Sequence, residues 1–289
     1  MKTATQKAAS RPGLGDGVLV DPDWLAGHLD DASIRVVEVD VSPAAYDDWH
    51  IGGAVLWNVY ADLKDAYYGT VDAAAVERLV ARSGIGPDST VVFYGYAPAL
   101  GLWLMKLYGH TDVRILDCSR DTWRAGGHPW STVASEPPAA RYRLGSQDCG
   151  IRADGAAVQD AIGRPGTTLV DVRSAAEYRG DCFWPSGGME PGGRAGHVPS
   201  AVHQPIDCLH NPDGSFRSAE ELRGVFSPAV LDGGHELITY CTIGGRAATA
   251  WFVLTYLLGR DPVRVYDLLY FVILTFTSLL HKRPTNMLL

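Results

Sequence analysis

The chain reads as an α/β protein made of two copies of one unit, each a mostly parallel sheet flanked by helices. Two observations predict this. Short runs rich in β-branched residues alternate with helix-like stretches, the pattern that produces parallel sheets. The second half also repeats the first. Val37-Glu-Val-Asp40 and then His50-Ile-Gly-Gly-Ala-Val55 are answered by Leu169-Val-Asp171 and then His197-Val-Pro-Ser-Ala-Val202. Val91-Val-Phe-Tyr94-Gly95 is answered by Leu237-Ile-Thr-Tyr240-Cys241, and Gly109 to Asp117 by Gly259 to Asp267. His50 to Tyr94 is 44 residues and His197 to Tyr240 is 43, so the spacing holds through the core of the unit. At 289 residues the chain has room for two such cores.

Taken in order, residues 1–17 carry a few positive charges without the apolar stretch of a secretory leader, and are expected to form a flexible tail. Residues 18–131 make the first unit. Thr132 to Ile151 contains Pro137-Pro138 and no periodicity, which predicts a linker. Residues 152–267 make the second unit, with a strand near Thr168–Val172, a helix at Ser218–Val225, a strand ending at Tyr240 and a helix from Ala247 to Leu258. In that last helix Ala247, Ala250, Trp251, Leu254, Leu257 and Leu258 recur at helical spacing, and Gly259 stands at the stop. Residues 268–289 diverge into an apolar run, Leu268 to Leu280, shorter than the ~20 residues that span a bilayer. A membrane partner is therefore not expected.

Composition narrows the function. Hydrophobic residues at 46% and charged residues at 20% place the chain among globular rather than disordered proteins. A net charge of −8 with no long Lys/Arg run argues against a nucleic-acid partner. The five cysteines, at 118, 149, 182, 208 and 241, show no C-x-x-C spacing. Neither a metal site nor a cofactor is expected; free thiols in a reducing cytoplasm are, in a monomer.

The halves differ where chemistry would sit. Cys241 is matched by Gly95, so only the second unit offers a thiol there. Cys241 ends a strand and opens the loop Cys241-Thr-Ile-Gly-Gly-Arg246 ahead of a helix. Backbone N–H groups converge at such a position, and with the helix dipole they favour a negatively charged sulfur. The plain reading is a small buried hydrophobe; the Gly244-Gly245-Arg246 turn favours a nucleophile instead. Thr242, Ile243, Gly244, Gly245 and Arg246 are the candidate cradle for an anion. A phosphatase-type Cys-x5-Arg loop needs five intervening residues, whereas Arg246 leaves four, a tighter ring suited to one sulfur atom. The second unit also carries a Gly- and Pro-rich insertion, Gly180 to Gly196, whose Arg194 is a candidate for holding an anionic substrate. Arg173 is a second candidate, against the plainer reading of an ion pair with Asp171. His50 and His197 recur in both units, which points to a structural hydrogen-bonding role.

These motifs resemble those of the two-domain rhodaneses, the thiosulfate and 3-mercaptopyruvate sulfurtransferase family, from about Val18 to Asp267. The resemblance rests on Asp171-Val-Arg173 with Glu177-Tyr178, on Gly196-His-Val-Pro-Ser-Ala-Val202 and on Tyr240-Cys-Thr-Ile-Gly-Gly-Arg246. The first unit repeats Tyr46 with His50-Ile-Gly-Gly-Ala54 and ends in Asp117-Cys-Ser-Arg-Asp-Thr-Trp123. It implies two tandem rhodanese-like domains, the second catalytic and the first without its cysteine. It further implies transfer of a sulfane sulfur from thiosulfate or 3-mercaptopyruvate, through a Cys241 persulfide, to a thiophilic acceptor such as cyanide or a thiol. The loop fits neither the C-R-K-G-V-T nor the C-G-S/T-G-V-T pattern and is closer to bacterial members reading C-R-I-G-E-R, which favours thiosulfate. After Asp267 the family continues Gly-Ser-Trp, whereas this chain continues Leu268-Leu-Tyr270. That departure supports an alternative, a rhodanese-like binding or regulatory module impaired in turnover.

Overall fold

A computed structural model describes residues 17–189 and 195–268. The expected N-terminal tail up to residue 16, Arg194 and the apolar run after Leu268 lie outside the described residues.

Each half builds a five-stranded sheet, and the strands of both sheets are parallel throughout. The first runs Leu19–Val20, Val113–Leu116, Thr90–Gly95, Ile34–Asp40, Val55–Asn58 across the sheet. The second runs Arg152–Ala153, Val263–Tyr266, Glu236–Tyr240, Thr167–Asp171, Val202–His203, the same order strand for strand. The inner strands are covered on both faces, so they read as near-continuous apolar runs rather than as alternating ones. Val37, Val39, Val91, Val92 and Phe93 are fully buried in one sheet, and Leu237, Ile238 and Tyr240 in the other.

The repeat extends to side chains. Tyr46 stacks on His50 at 3.9 Å, and Tyr178 on His197 at 3.7 Å. The Tyr94 hydroxyl accepts the Ile51 N–H at 3.0 Å, and the Tyr240 hydroxyl the Val198 N–H at 3.1 Å. His50 Nδ1 sits 2.9 Å from Tyr46 O, and His197 Nδ1 2.9 Å from Tyr178 O. Both histidines thus tie the turn before a strand to the helix before it.

The segment 132–151 contains no helix or strand. It runs along the first domain, held by Ala140 N–H to Ala81 O at 2.9 Å and Asp148 N–H to Leu107 O at 2.8 Å. The helix after each central strand, Pro98–Leu107 and Gly245–Phe252, packs against its counterpart in the other domain. A single buried cluster therefore includes Phe93, Leu100 and Trp103 from one domain and Cys241, Trp251 and Leu254 from the other. Among the described residues no helix is long and apolar enough to cross a membrane, and no group of three or more His, Cys, Asp and Glu side chains could hold a metal ion.

Candidate active site

Parallel strands bring their C-terminal ends to one edge of a sheet, and ligands of open α/β sheets bind beyond that edge. Cys241 follows the central strand Glu236–Tyr240 there. The chain turns at Gly244, whose φ of 90° and ψ of −20° suit glycine, and enters the helix at Gly245. The expected helix start at Ala247 is thus two residues late. Its expected end at Leu258 holds more closely, but the last stretch, Val253–Leu257, is a wider π-helical turn.

The helix start bears on chemistry. No side chain caps it, so its first-turn amides keep their donors for a ligand. The Gly244 N–H donates to the Cys241 sulfur at 3.1 Å. Cys241 is only 1% exposed, yet it lines a cavity of about 430 Å³. Thr242, Ile243, Gly245 and Arg246 line the same cavity. The first domain contributes Val59, Tyr60, Tyr96 and Leu100 to its wall, and the insertion contributes Trp184, Pro185 and Ser186.

Arg246 is fixed by Glu177. Its Nη1 donates to Oε2 at 2.8 Å and its Nη2 to Oε1 at 2.7 Å, a bidentate pair, and Nη2 also reaches Thr242 Oγ1 at 3.1 Å. The Thr242 hydroxyl in turn donates to Glu177 Oε1 at 3.1 Å. Glu177 closes a capping box with Ser174 at the start of Ala175–Arg179, so the same carboxylate caps a helix and braces the loop. Burial alone would raise its pKa; the hydrogen bonds and charge of Arg246, with those of Ser174, outweigh burial and hold it at about 2. Burial disfavours the Arg246 charge, but Glu177 and the Cys241 sulfur more than compensate and raise its pKa.

The structure places the candidate Arg173 elsewhere. Arg173 does not line the cavity: it is 1% exposed, with its Nη2 2.7 Å from Asp171 Oδ2 and 2.8 Å from Gly196 O. Its short reach to a partner two residues away on the same strand end accounts for this. Cys118 is pushed up to about 12 by burial and by the negative charges of Asp117, Asp213 and Asp21. The counterpart of Cys241 in the first domain explains itself. Gly95 has φ of 103°, and a side chain there would approach Val39 O at 3.0 Å.

Several residues at the site carried no sequence signal as such. Tyr60, Tyr96 and Trp184 are ordinary aromatics until the fold brings two domains together. Lys64 reaches from the first domain to within 3.4 Å of where a Gly244 side chain would stand. Glu177 did have a signal, the Ser174-x-x-Glu177 box ahead of a helix.

With this geometry in hand, comparison with known proteins is direct. A rhodanese-like domain profile matches residues 21–126 and again 155–268. A protein of Saccharopolyspora erythraea named as a thiosulfate sulfurtransferase is 39% identical over 256 residues, covering 86% of this chain and 90% of that one. The sulfur carrier protein TtuD of Thermus thermophilus is 38% identical over 259 residues, covering 86% and 91%. In fold, the chain is similar to SseA of Escherichia coli, described as a 3-mercaptopyruvate sulfurtransferase structure. There the TM-score is 0.73 at 21% identity, covering 86% of this chain and 97% of that one. It is likewise similar to the wild-type structure of EanB, with a TM-score of 0.77 at 22% identity, covering 89% and 67%. The chain belongs to the rhodanese family of sulfurtransferases, as two rhodanese-like domains in tandem.

Proposed function

We propose that Cys241 is the nucleophile of a double-displacement sulfur transfer, with thiosulfate as donor. The thiolate attacks the outer sulfur of thiosulfate; that S–S bond breaks, sulfite leaves with the electron pair, and the sulfur stays on Cys241 as a persulfide. Cyanide or a thiolate then attacks the terminal sulfur, and the electron pair returns to Cys241. Splitting one difficult transfer into two is what a covalent intermediate achieves. In this reading residues 152–267 are the catalytic domain and 18–131 its cysteine-less partner.

One observation carries the reading: the Gly244 N–H aimed at the sulfur from an uncapped helix start, beside a cavity that Cys241 lines. Amides fixed in place before reaction stabilise a negative sulfur without reorganising. Thiosulfate is favoured by the fixed charge of Arg246 and by the names of the relatives. The test is thiocyanate release from the purified protein given thiosulfate and then cyanide. Release is expected from wild type and absent in Cys241→Ser. Folded wild type that releases none supports the impaired module instead.

A further inference from the structure

Lys64 follows the π-helical turn Val59–Leu63 of the first domain and is 5% exposed. Its ammonium donates to Asp267 O at 3.2 Å and lies 4.0 Å from Asp267 Oδ2. Asp267 belongs to the other domain, just past Val263–Tyr266, and is 1% exposed. Arg152 already pairs with this carboxylate, at 3.0 Å to Oδ1 and 3.3 Å to Oδ2, and the Thr70 N–H adds a bond at 3.1 Å. Lys64 and Thr70 face each other across one short hairpin, so a single element of the first domain grips the end of the second sheet.

Burying an ammonium is costly unless something requires its charge. Asp267 answers part of that cost, but it is shared: both Lys64 and Arg152 pair with its one carboxylate. Glu177 balances Arg246. Other charged or titratable groups near the loop are Asp65 beside Lys64, and Asp207, His210, Tyr60 and Tyr96 on the cavity wall. Burial holds His210 below its ordinary pKa, which leaves it neutral near pH 7. Lys64 and Arg152 thus set two positive charges against the one carboxylate of Asp267, which leaves a positive charge in surplus beside the loop. The Gly244 turn adjoins both Lys64 and Asp267: an added Cβ there would stand 3.4 Å from Lys64 Nζ and 3.5 Å from Asp267 Cα. That turn supplies the N–H bonded to the Cys241 sulfur.

We propose that Lys64 is a positioning residue for sulfur transfer: its ammonium pins the Gly244 turn against Asp267 and supplies the positive charge that balances an anionic sulfur at residue 241. The proposal rests on Cys241 being the nucleophile, as above. It makes the cysteine-less domain part of the active site, because transfer then needs the two domains docked. The burial that lowers the Lys64 pKa is opposed by the charges of Asp267 and Cys241, in keeping with this arrangement.

The experiment is alkylation of Cys241 by iodoacetamide across pH, read as the mass of the peptide bearing it, in the full chain and its K64M, K64Q, K64R and T70A variants. Thiocyanate turnover is measured alongside. K64M and K64Q are expected to slow alkylation about tenfold at pH 7 and to move the profile to higher pH, as losing a nearby opposite charge does. K64R keeps the charge and stays close to wild type. T70A removes the Thr70 hydroxyl's bond to Asp267 Oδ2 and so loosens the same hairpin without removing charge; it lowers the melting temperature and leaves the profile in place. K64Q retains an N–H for Asp267 O and is the informative variant if K64M does not fold. A K64Q profile that overlays wild type, or a T70A profile that moves as far as K64Q, overturns the proposal. The reading of Cys241 is judged separately, since Cys241→Ser that still releases thiocyanate would sink both, whereas an unshifted K64Q beside an inactive Cys241→Ser sinks only the role of Lys64.

Discussion

One buried carboxylate organises the loop beside Cys241. Glu177 accepts from Ser174, Thr242 and Arg246 at once, and its two oxygens face both arms of the guanidinium. A carboxylate held at about 2, against an ordinary 4.5, contributes stability that is complete above pH 4.5 and is lost as the pH falls through 2. Glu177→Gln is therefore expected to cost about 3 kcal/mol at neutral pH, with Arg246 left unpaired in a largely buried place. Urea unfolding followed across pH checks this: the gap between wild type and variant should shrink as acid is added below pH 4.5. A gap that stays constant down to pH 2 would show that the pair does not titrate with folding. The Ser174-x-x-Glu177 box is a local signal, four residues long. Arg246 was legible as part of the cradle, but its pairing with Glu177 was not, because the two lie 69 residues apart and only the fold brings them near.

At the scale of elements, strand, turn and helix make a single device. The central strand and the following helix were legible from their period, and Cys241 between them from its mismatch with Gly95. The helix start was misread by two residues because Gly244-Gly245 looks like loop, yet Gly244 is the cap. The π-helical turn Val253–Leu257 left no mark in the pattern, since one wider turn barely moves the apolar stripe. Added to the 8 residues of Gly245–Phe252, its 5 residues exceed the 10 of Pro98–Leu107 and supply most of the difference between the 19 residues from Tyr240 to Gly259 and the 15 from Tyr94 to Gly109. The cap invites a test. A Cβ on Gly244 would meet Lys64 Nζ at 3.4 Å and Asp267 at 3.5 Å, ordinary contacts, so space is not the obstacle. The obstacle is φ of 90°, which costs an L side chain about 1–3 kcal/mol. Gly244→Ala should relieve that strain by rotating the turn, which moves the N–H away from the sulfur. Thiosulfate:cyanide turnover is expected to fall by about 10²-fold, the loss seen when one anion-stabilising donor goes. Turnover within twofold of wild type, with stability also unchanged, would mean the turn is not held as described.

At the scale of the molecule, the repeat in the sequence predicted two domains but not how they are joined. Nothing in the spacing of apolar residues says which face of Pro98–Leu107 meets which face of Gly245–Phe252, because a helix buried on nearly every side carries no directional stripe. The structure makes the junction a core. One buried cluster crosses it, and polar links reinforce it: Phe216 N–H to Asp117 Oδ1 at 2.7 Å, Ser119 N–H to Asp213 O at 2.8 Å, and the Lys64–Asp267 contact. Separating the domains would expose Leu100, Trp103, Trp251 and Leu254 together, at roughly 2–3 kcal/mol for each large side chain uncovered. A penalty of that size exceeds what either small domain can spare from its own marginal stability. Partly unfolded states with one domain intact should therefore be sparsely populated. Differential scanning calorimetry is expected to give one transition, with calorimetric and van't Hoff enthalpies agreeing to within about a tenth. Tryptophan fluorescence and far-UV circular dichroism should change together within that transition. Two resolved transitions, or probes that change at different temperatures, would show that the domains part first and that the shared core is weaker than its buried area implies.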